Sequence, residues 1–279
     1  MASSVASQDA PLESNKRKRV DEEDAAENTN RPAGDQSQPS KKKKKKRSKA
    51  TKNGSEYDIN KVMGKDGGID ESIGRMDGKL LGDYFAQRVK RHNKNLTAVE
   101  LDDFYVPEHA FLDTSSWDSS RDLENMPSFL KAFSPDKGAS LSKASEAKGS
   151  PHTLVVTLAG LRAAEISRTL RQFQNQDCAV AKLFAKHIKL KEAQETVEKT
   201  RMGIGIGTPV RLNDLINSGS LKLDSLARIV VDGSYVDQKK RGIFDMKELH
   251  FPLIELLNRA ELRDRYQSKK GDKVQILVF

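Results

Sequence analysis

Cysteine is nearly absent from this chain: Cys178 is the only one in 279 residues. That excludes an intramolecular disulfide and any zinc site built on several thiolates, and it fits a reducing compartment. Long apolar runs are missing as well. No window approaches 18 uncharged apolar residues, so no segment is expected to cross a bilayer. The amino-terminal stretch MASSVASQDAPLESNKRKR lacks the apolar core of a secretory signal. The five histidines, His92, His109, His152, His187 and His250, are scattered with no H-x₃-H pair among them. They are expected to be structural or surface groups rather than metal ligands. No Ser-His-acid arrangement can be argued from order alone.

A phosphate cradle is missing too. A P-loop needs G-x-x-x-x-G-K-[ST] between a strand and a helix. Gly78-Lys79 is followed by Leu80 and has Ile73 where the first glycine belongs, while Gly64-Lys65 is followed by Asp66 and has Ile59 there. The run GIGIG falls short of a dinucleotide fingerprint, because after Gly203 and Gly205 the third glycine position is Thr208. These glycines lie within a strand, where close packing of a crowded sheet explains them.

What is abundant is positive charge in one place. Lys41, Lys42, Lys43, Lys44, Lys45, Lys46, Arg47, Lys49 and Lys52 form a run with no acid. Removing these nine from the 49 basic residues leaves as many as the 40 acidic ones, so the rest of the chain is near neutral. That is not the pattern of a uniformly basic nucleic-acid-binding domain. Residues 1–70 hold few large apolar side chains and are expected to form a disordered tail. Within it, Lys16, Arg17, Lys18 and Arg19 read as a nuclear-localisation cluster, and Lys41–Arg47 as a further import signal or a tether to RNA phosphates.

The rest reads as α/β. Residues 76–135 are expected to be a helical extension packing on the core. Leu80, Leu81, Tyr84, Phe85 and Val89 recur at helical spacing over 77–94, Thr97 with Glu100 suggests a capping box, and a short helix is expected over 123–133. Residues 134–150, rich in Ser, Lys and Gly, are expected to be a mobile loop. From 151 to 279, strands over 153–158, 179–184, 203–207, 228–232 and 273–279 alternate with helices. The helix opened by Gly160 is expected to gather Leu161, Ala164, Leu170 and Phe173 on one face, and residues 251–263 to form a single amphipathic helix. Such alternation predicts a parallel sheet with helices on both faces. Thr208-Pro209 before Arg211 reads as a helix start whose N–H groups and arginine could meet a phosphate. Asp232 ends the apolar strand RIVVD, where nucleotide hydrolases place a magnesium-binding Asp.

The stretch IGIGTPVRLNDLINSGSLKLDSLARIVVDGS resembles the first RecA-like domain of DEAD-box RNA helicases. Thr208-Pro209-Val210-Arg211 stands where those enzymes carry Thr-Pro-Gly-Arg, and Arg162 where they carry the arginine of Pro-Thr-Arg. Asp232-Gly233-Ser234-Tyr235 stands where they carry Asp-Glu-Ala-Asp. Judged also by KLFAKHIKL, GIGTPVRL and VVDGSYVDQKKR, the chain is similar to the CMS ribosomal small-subunit family. The resemblance implies a single degenerate RecA-like, P-loop-NTPase-related domain with no catalytic residues, metal or cofactor. It implies RNA contacts for Arg162, Thr208 and Arg211, and partners among pre-ribosomal RNA and proteins of the small-subunit processome. It implies no membrane or small-molecule partner, and a place in the nucleus and nucleolus. A helicase-lobe mimic that binds protein, and an NTPase with an unconventional site, stay open as alternatives.

Overall fold

The computed structural model describes residues 68–184, 188–269 and 271–279. Both basic clusters, Lys16–Arg19 and Lys41–Arg47, lie outside them, as does His187. Seven strands are described: β1 (Gly68–Ile69), β2 (Thr153–Val156), β3 (Ala179–Leu183), β4 (Met202–Gly207), β5 (Arg228–Val231), β6 (Tyr235–Val236) and β7 (Gln275–Val278). The helices are α1 (Glu71–Gly74), α2 (Gly78–His92), α3 (Ala98–Asp103), α4 (Met126–Ala132), α5 (Gly160–Thr169), α6 (Leu190–Lys199), α7 (Pro209–Asn217), α8 (Lys247–Leu257) and α9 (Ala260–Tyr266).

Five strands form one all-parallel sheet in the order β3-β4-β2-β5-β7. The fully buried runs of β2, β4 and β5 are what a strand covered on both faces requires. Side chains alternate between two cores. Leu154, Val156, Ile229, Val231, Ile276 and Val278 pack with α2, α7, α8 and α9. Val155, Val230, Ile204, Ile206 and Leu277 pack with α4 and α5. Each such fully buried aliphatic side chain contributes about 1.5–3 kcal/mol.

The crowded-sheet reading of GIGIG holds. A Cβ on Gly205 would lie 2.7 Å from Leu183 Cδ1, and one on Gly207 2.4 Å from the Leu183 carbonyl oxygen. Only glycine lets β3 and β4 approach this closely.

The segment before the sheet shares its core. Leu81, Phe85 and Val89 of α2 are buried with Ile229 and Ile276, and Asp77 caps the helix by accepting from Leu80 N at 2.8 Å. The capping box of Thr97 and Glu100 is present. Leu112 N donates to Ile276 O at 2.8 Å, which covers the exposed edge of β7. Met126, Phe129 and Leu130 then join the opposite core. Arg121 fastens this wrap. It donates to the carbonyls of Val278 (2.6 Å), Gly74 (2.6 Å) and Thr114 (2.8 Å). Burial lowers its pKa to about 10, with Glu71 opposing.

Three expectations need correction. Residues 134–150 are packed rather than mobile: Leu141 is fully buried, and Asn175 Nδ2 and Arg201 Nε donate to the carbonyls of Ser142 and Ser145. On α5 the buried positions are Arg162, Ala163, Ile166 and Ser167, while Leu161 faces out. Of the expected face, Leu170 and Phe173 are buried in the core as read, whereas Leu161 is exposed and Ala164 half-buried. The expected 251–263 helix is two helices, broken at Asn258 and Arg259, each turning its own leucines into the core.

Candidate functional site at the carboxyl edge of the sheet

In an open α/β sheet, ligands bind outside the carboxyl ends of adjacent strands whose connections leave in opposite directions. Here those strands are β2, which leads towards β3 on one side, and β5, which leads towards β7 on the other. Thr157 follows β2 and Asp232 follows β5, and the two chains stay in register through Asp232 N donating to Val156 O at 2.9 Å.

The crevice is closed by an ion pair. The Asp232 carboxylate is wholly buried, and Arg162, from the first turn of α5, is only 7% exposed. Arg162 Nε donates to Asp232 Oδ2 at 3.0 Å and its Nη2 to Oδ1 at 3.2 Å. Thr157 Oγ1 adds a bond to Oδ2 at 2.7 Å. The guanidinium also lies over the Tyr235 ring, 4.1 Å from its centroid. Burial alone would lower the Arg162 pKa, but the Asp232 carboxylate overrides it and the net direction is upward. Tyr235 is pushed up mainly by burial, with Arg162 opposing.

The surroundings do not fit a magnesium-triphosphate group. Both Asp232 oxygens already accept charge-assisted or hydroxyl bonds. The N–H groups of Gly233 and Ser234 both donate to Phe279 O, at 2.9 and 2.8 Å, so neither is free for a phosphate. A Cβ on Gly233 would fall 2.8 Å from Val278 Cγ1 and 3.1 Å from Phe244 Cε2. The acid that a DEAD-like motif carries there has no room.

Thus the structure brings together residues of two motifs that the sequence read separately: Arg162 from one, and Asp232 and Tyr235 from the other. Ser234 is buried beside them. Thr208 and Arg211 lie apart, at the end of β4. Pro209 occupies the first position of α7 as expected, but the Thr208 side chain makes no capping bond. Arg211 is half-buried, and its Nη2 donates to Ile188 O at 3.2 Å. Beside the ion pair a cavity of about 380 Å³ is lined by Leu158, Leu161, Glu165, Tyr235, Arg241 and Met246. Among the described residues no cluster of His, Cys, Asp and Glu is arranged to hold a metal ion.

The profile of CMS1, a family described as a U3-containing 90S pre-ribosomal complex subunit, matches residues 21–279. The chain belongs to the CMS1 family. It is 49% identical to Protein CMS1 of Chaetomium thermophilum over 203 residues, which cover 73% of this chain and 80% of that protein. Human Protein CMSS1 is 33% identical over 185 residues, 66% of this chain. The match spans 61% of the human protein, less than two thirds of its length. Among solved structures, the yeast DEAD-box splicing factor Prp28 is similar with a TM-score of 0.40 at 16% identity, over 59% of this chain and 41% of that one. The fold of this CMS1-family chain is defined by its own strand order.

Sequence reasoning missed the bond between Arg162 and Asp232 in the CMS1-family chain. The two are 70 residues apart, and only the parallel pairing of β2 with β5 brings them together. The available signal was that both motifs stand at the ends of apolar strands expected in one parallel sheet. Arg121 carried no motif signal at all.

Proposed function

We propose that this chain is a non-catalytic assembly factor of the small-subunit processome, acting in the nucleus and nucleolus through a pseudo-helicase domain. The observation that carries the reading is the Arg162–Asp232 pair. A buried arginine occupies the carboxylate that would otherwise face magnesium, which leaves a RecA-like core suited to binding and not to hydrolysis. Membership of a family described as a 90S pre-ribosomal complex subunit supports the particle. In this reading Lys41–Arg47 tethers pre-ribosomal RNA through phosphates, sequence-blind and salt-sensitive. Lys16–Arg19 directs import. Thr208 and Arg211 border the RNA or protein partner, and Arg162 acts by holding its loop.

The test is gradient sedimentation of the tagged full-length chain at low and high salt, with U3 RNA and precursor rRNA as readouts. Co-sedimentation with U3 RNA is expected, and neutralising Lys41–Arg47 to Gln should lower the salt concentration at which it is lost. Absence of both RNAs from every fraction holding the chain would sink the reading. The helicase-lobe mimic is favoured by one further feature, the apolar character of the same sheet edge.

A further inference from the structure

The carboxyl edge continues past the closed crevice, over β2, β4 and β3, and changes character. Each of these strands leads into a helix whose first turn presents an aliphatic side chain to solvent. Leu161 of α5 is 61% exposed, Val210 of α7 is 45% exposed, and Ile188 and Leu190 at the start of α6 are each 37% exposed. Because β3, β4 and β2 are consecutive neighbours, these positions form a short row, about 10 Å along the edge at the usual strand spacing, with α5 starting over one face of the sheet and α6 and α7 over the other. The row is tied together by Arg211 donating to Ile188 O at 3.2 Å and by Thr157 N donating to Gly207 O at 3.0 Å.

The polar groups of these loops turn inward. Arg162 faces Asp232, and Arg211 faces a carbonyl. A surface that holds a nucleic-acid backbone does the reverse and turns its cations outward.

Positive charge frames the row. Lys189 and Lys191 are exposed at one end, and Lys239 and Lys240, in the turn after β6, at the other. The helices α5, α6 and α7 all start at this edge, and none has a side-chain cap on its first-turn N–H groups. Their dipoles favour an anionic neighbour. Among carboxylates on the same elements, Glu165 lies 4.0 Å from Arg162, and Asp237 pairs with Arg241 at 2.8 Å. Glu192 follows in the first turn of α6.

We infer that this edge docks a short acidic amphipathic segment of a protein partner, with apolar side chains in the middle and carboxylates at both ends. A helix of about ten residues, roughly 15 Å long, is long enough to reach across the edge from one face of the sheet to the other. RNA would match the charge but offers no aliphatic face to cover four exposed side chains. The inference deepens the assembly-factor reading and rests on it.

The test places a photo-cross-linking amino acid at Leu161 or at Val210 of the full-length chain in cells, with Val99 on α3 as a control outside the row. Cross-links from U3-containing particles and from the free pool are identified after nuclease digestion. Both positions should reach one protein segment in which acids flank apolar residues, and Val99 should not. A synthetic peptide of that segment should bind the purified full-length chain. Leu161→Glu with Val210→Glu should weaken that binding about tenfold or more at an unchanged Tm, and Lys189→Glu with Lys191→Glu by less. Cross-links to RNA, to a second copy of this chain or to a segment without acids overturn the inference, as does their absence from both pools. If the chain is missing from U3 particles, the assembly reading fails, and the cross-links of the free pool still decide the docking inference by the same sequence criterion.

Discussion

The two edges of the central sheet are built for different ends. At the amino edge the backbone groups that join the strands are bonded. His152 N donates to Gly203 O, the N–H groups of Ala227 and Arg228 donate to His152 O, and Arg228 reaches the Ser134 hydroxyl. The missing Cβ of Gly203 is where Cys178 Sγ and the His152 ring come close, at 2.5 and 2.8 Å from its ideal position. At the carboxyl edge one half is sealed by a buried ion pair and the other half leaves aliphatic side chains in water. The edge that an α/β sheet ordinarily gives to a ligand has been divided into a locked part and an open part. Stability sits at the closed places and recognition at the open one.

The sharpest way to break that contrast is Asp232→Ala, which strands a buried guanidinium. It should cost about 3–5 kcal/mol, a fall of about 10 °C in Tm for a domain of this size, read by thermal denaturation. Arg162→Ala should do similar damage from the other side. Arg162→Met together with Asp232→Leu should recover most of the loss, because removing both charges is far less costly than removing one. If the single variants are as stable as the parent, the pair is not what locks the crevice.

Acid should act next, through groups far from the pair. His152 at the amino edge and His250 on α8 are both held neutral, with pKa lowered to about 4, chiefly by burial and then by Arg228 and His92 respectively. The unfolded chain binds a proton on each near pH 6.5. Stability is therefore fully present above that pH and is lost as pH falls from about 6.5 towards 4, at up to about 1.4 kcal/mol per pH unit for each histidine. Denaturant titrations across that range check this, and a His250→Gln variant should flatten the slope.

A smaller effect is expected from Gly203→Ala, whose Cβ would crowd the sulfur of Cys178 and the ring of His152. Overpacking of this kind costs about 1–3 kcal/mol, measurable by chemical denaturation. Smallest of all, Leu161→Glu on the open half should leave stability within about 0.5 kcal/mol. A large loss there would mean that the row is part of the core.

Much of the fold was legible because its signals are local. TLVVTL and RIVVD are β-branched runs that only a buried strand uses well, and Asp77 and Thr97 announce the helices they cap. Partnership was not legible, and phase was legible only in part. Ala163 and Ile166 keep helical step with the buried Leu170 and Phe173, whereas Leu161 lies on the other side of the helix. The leucines of α8 and α9 keep one apparent rhythm across Asn258, although the chain turns there. The ion pair was hidden for the same reason. Arg162 looked like a phosphate ligand and Asp232 like a metal ligand, each reading natural for its own motif, until the sheet set them against each other.

The most direct test of the central claim is Mg²⁺-dependent release of phosphate from ATP by the purified full-length chain, beside an Asp232→Asn variant, with the Tm recorded in the presence and absence of Mg²⁺ and ATP. The account predicts no release above background from either protein and no shift in Tm. Release by the parent chain that disappears in a folded Asp232→Asn variant would contradict it, since Asp232 would then be serving a nucleotide rather than Arg162.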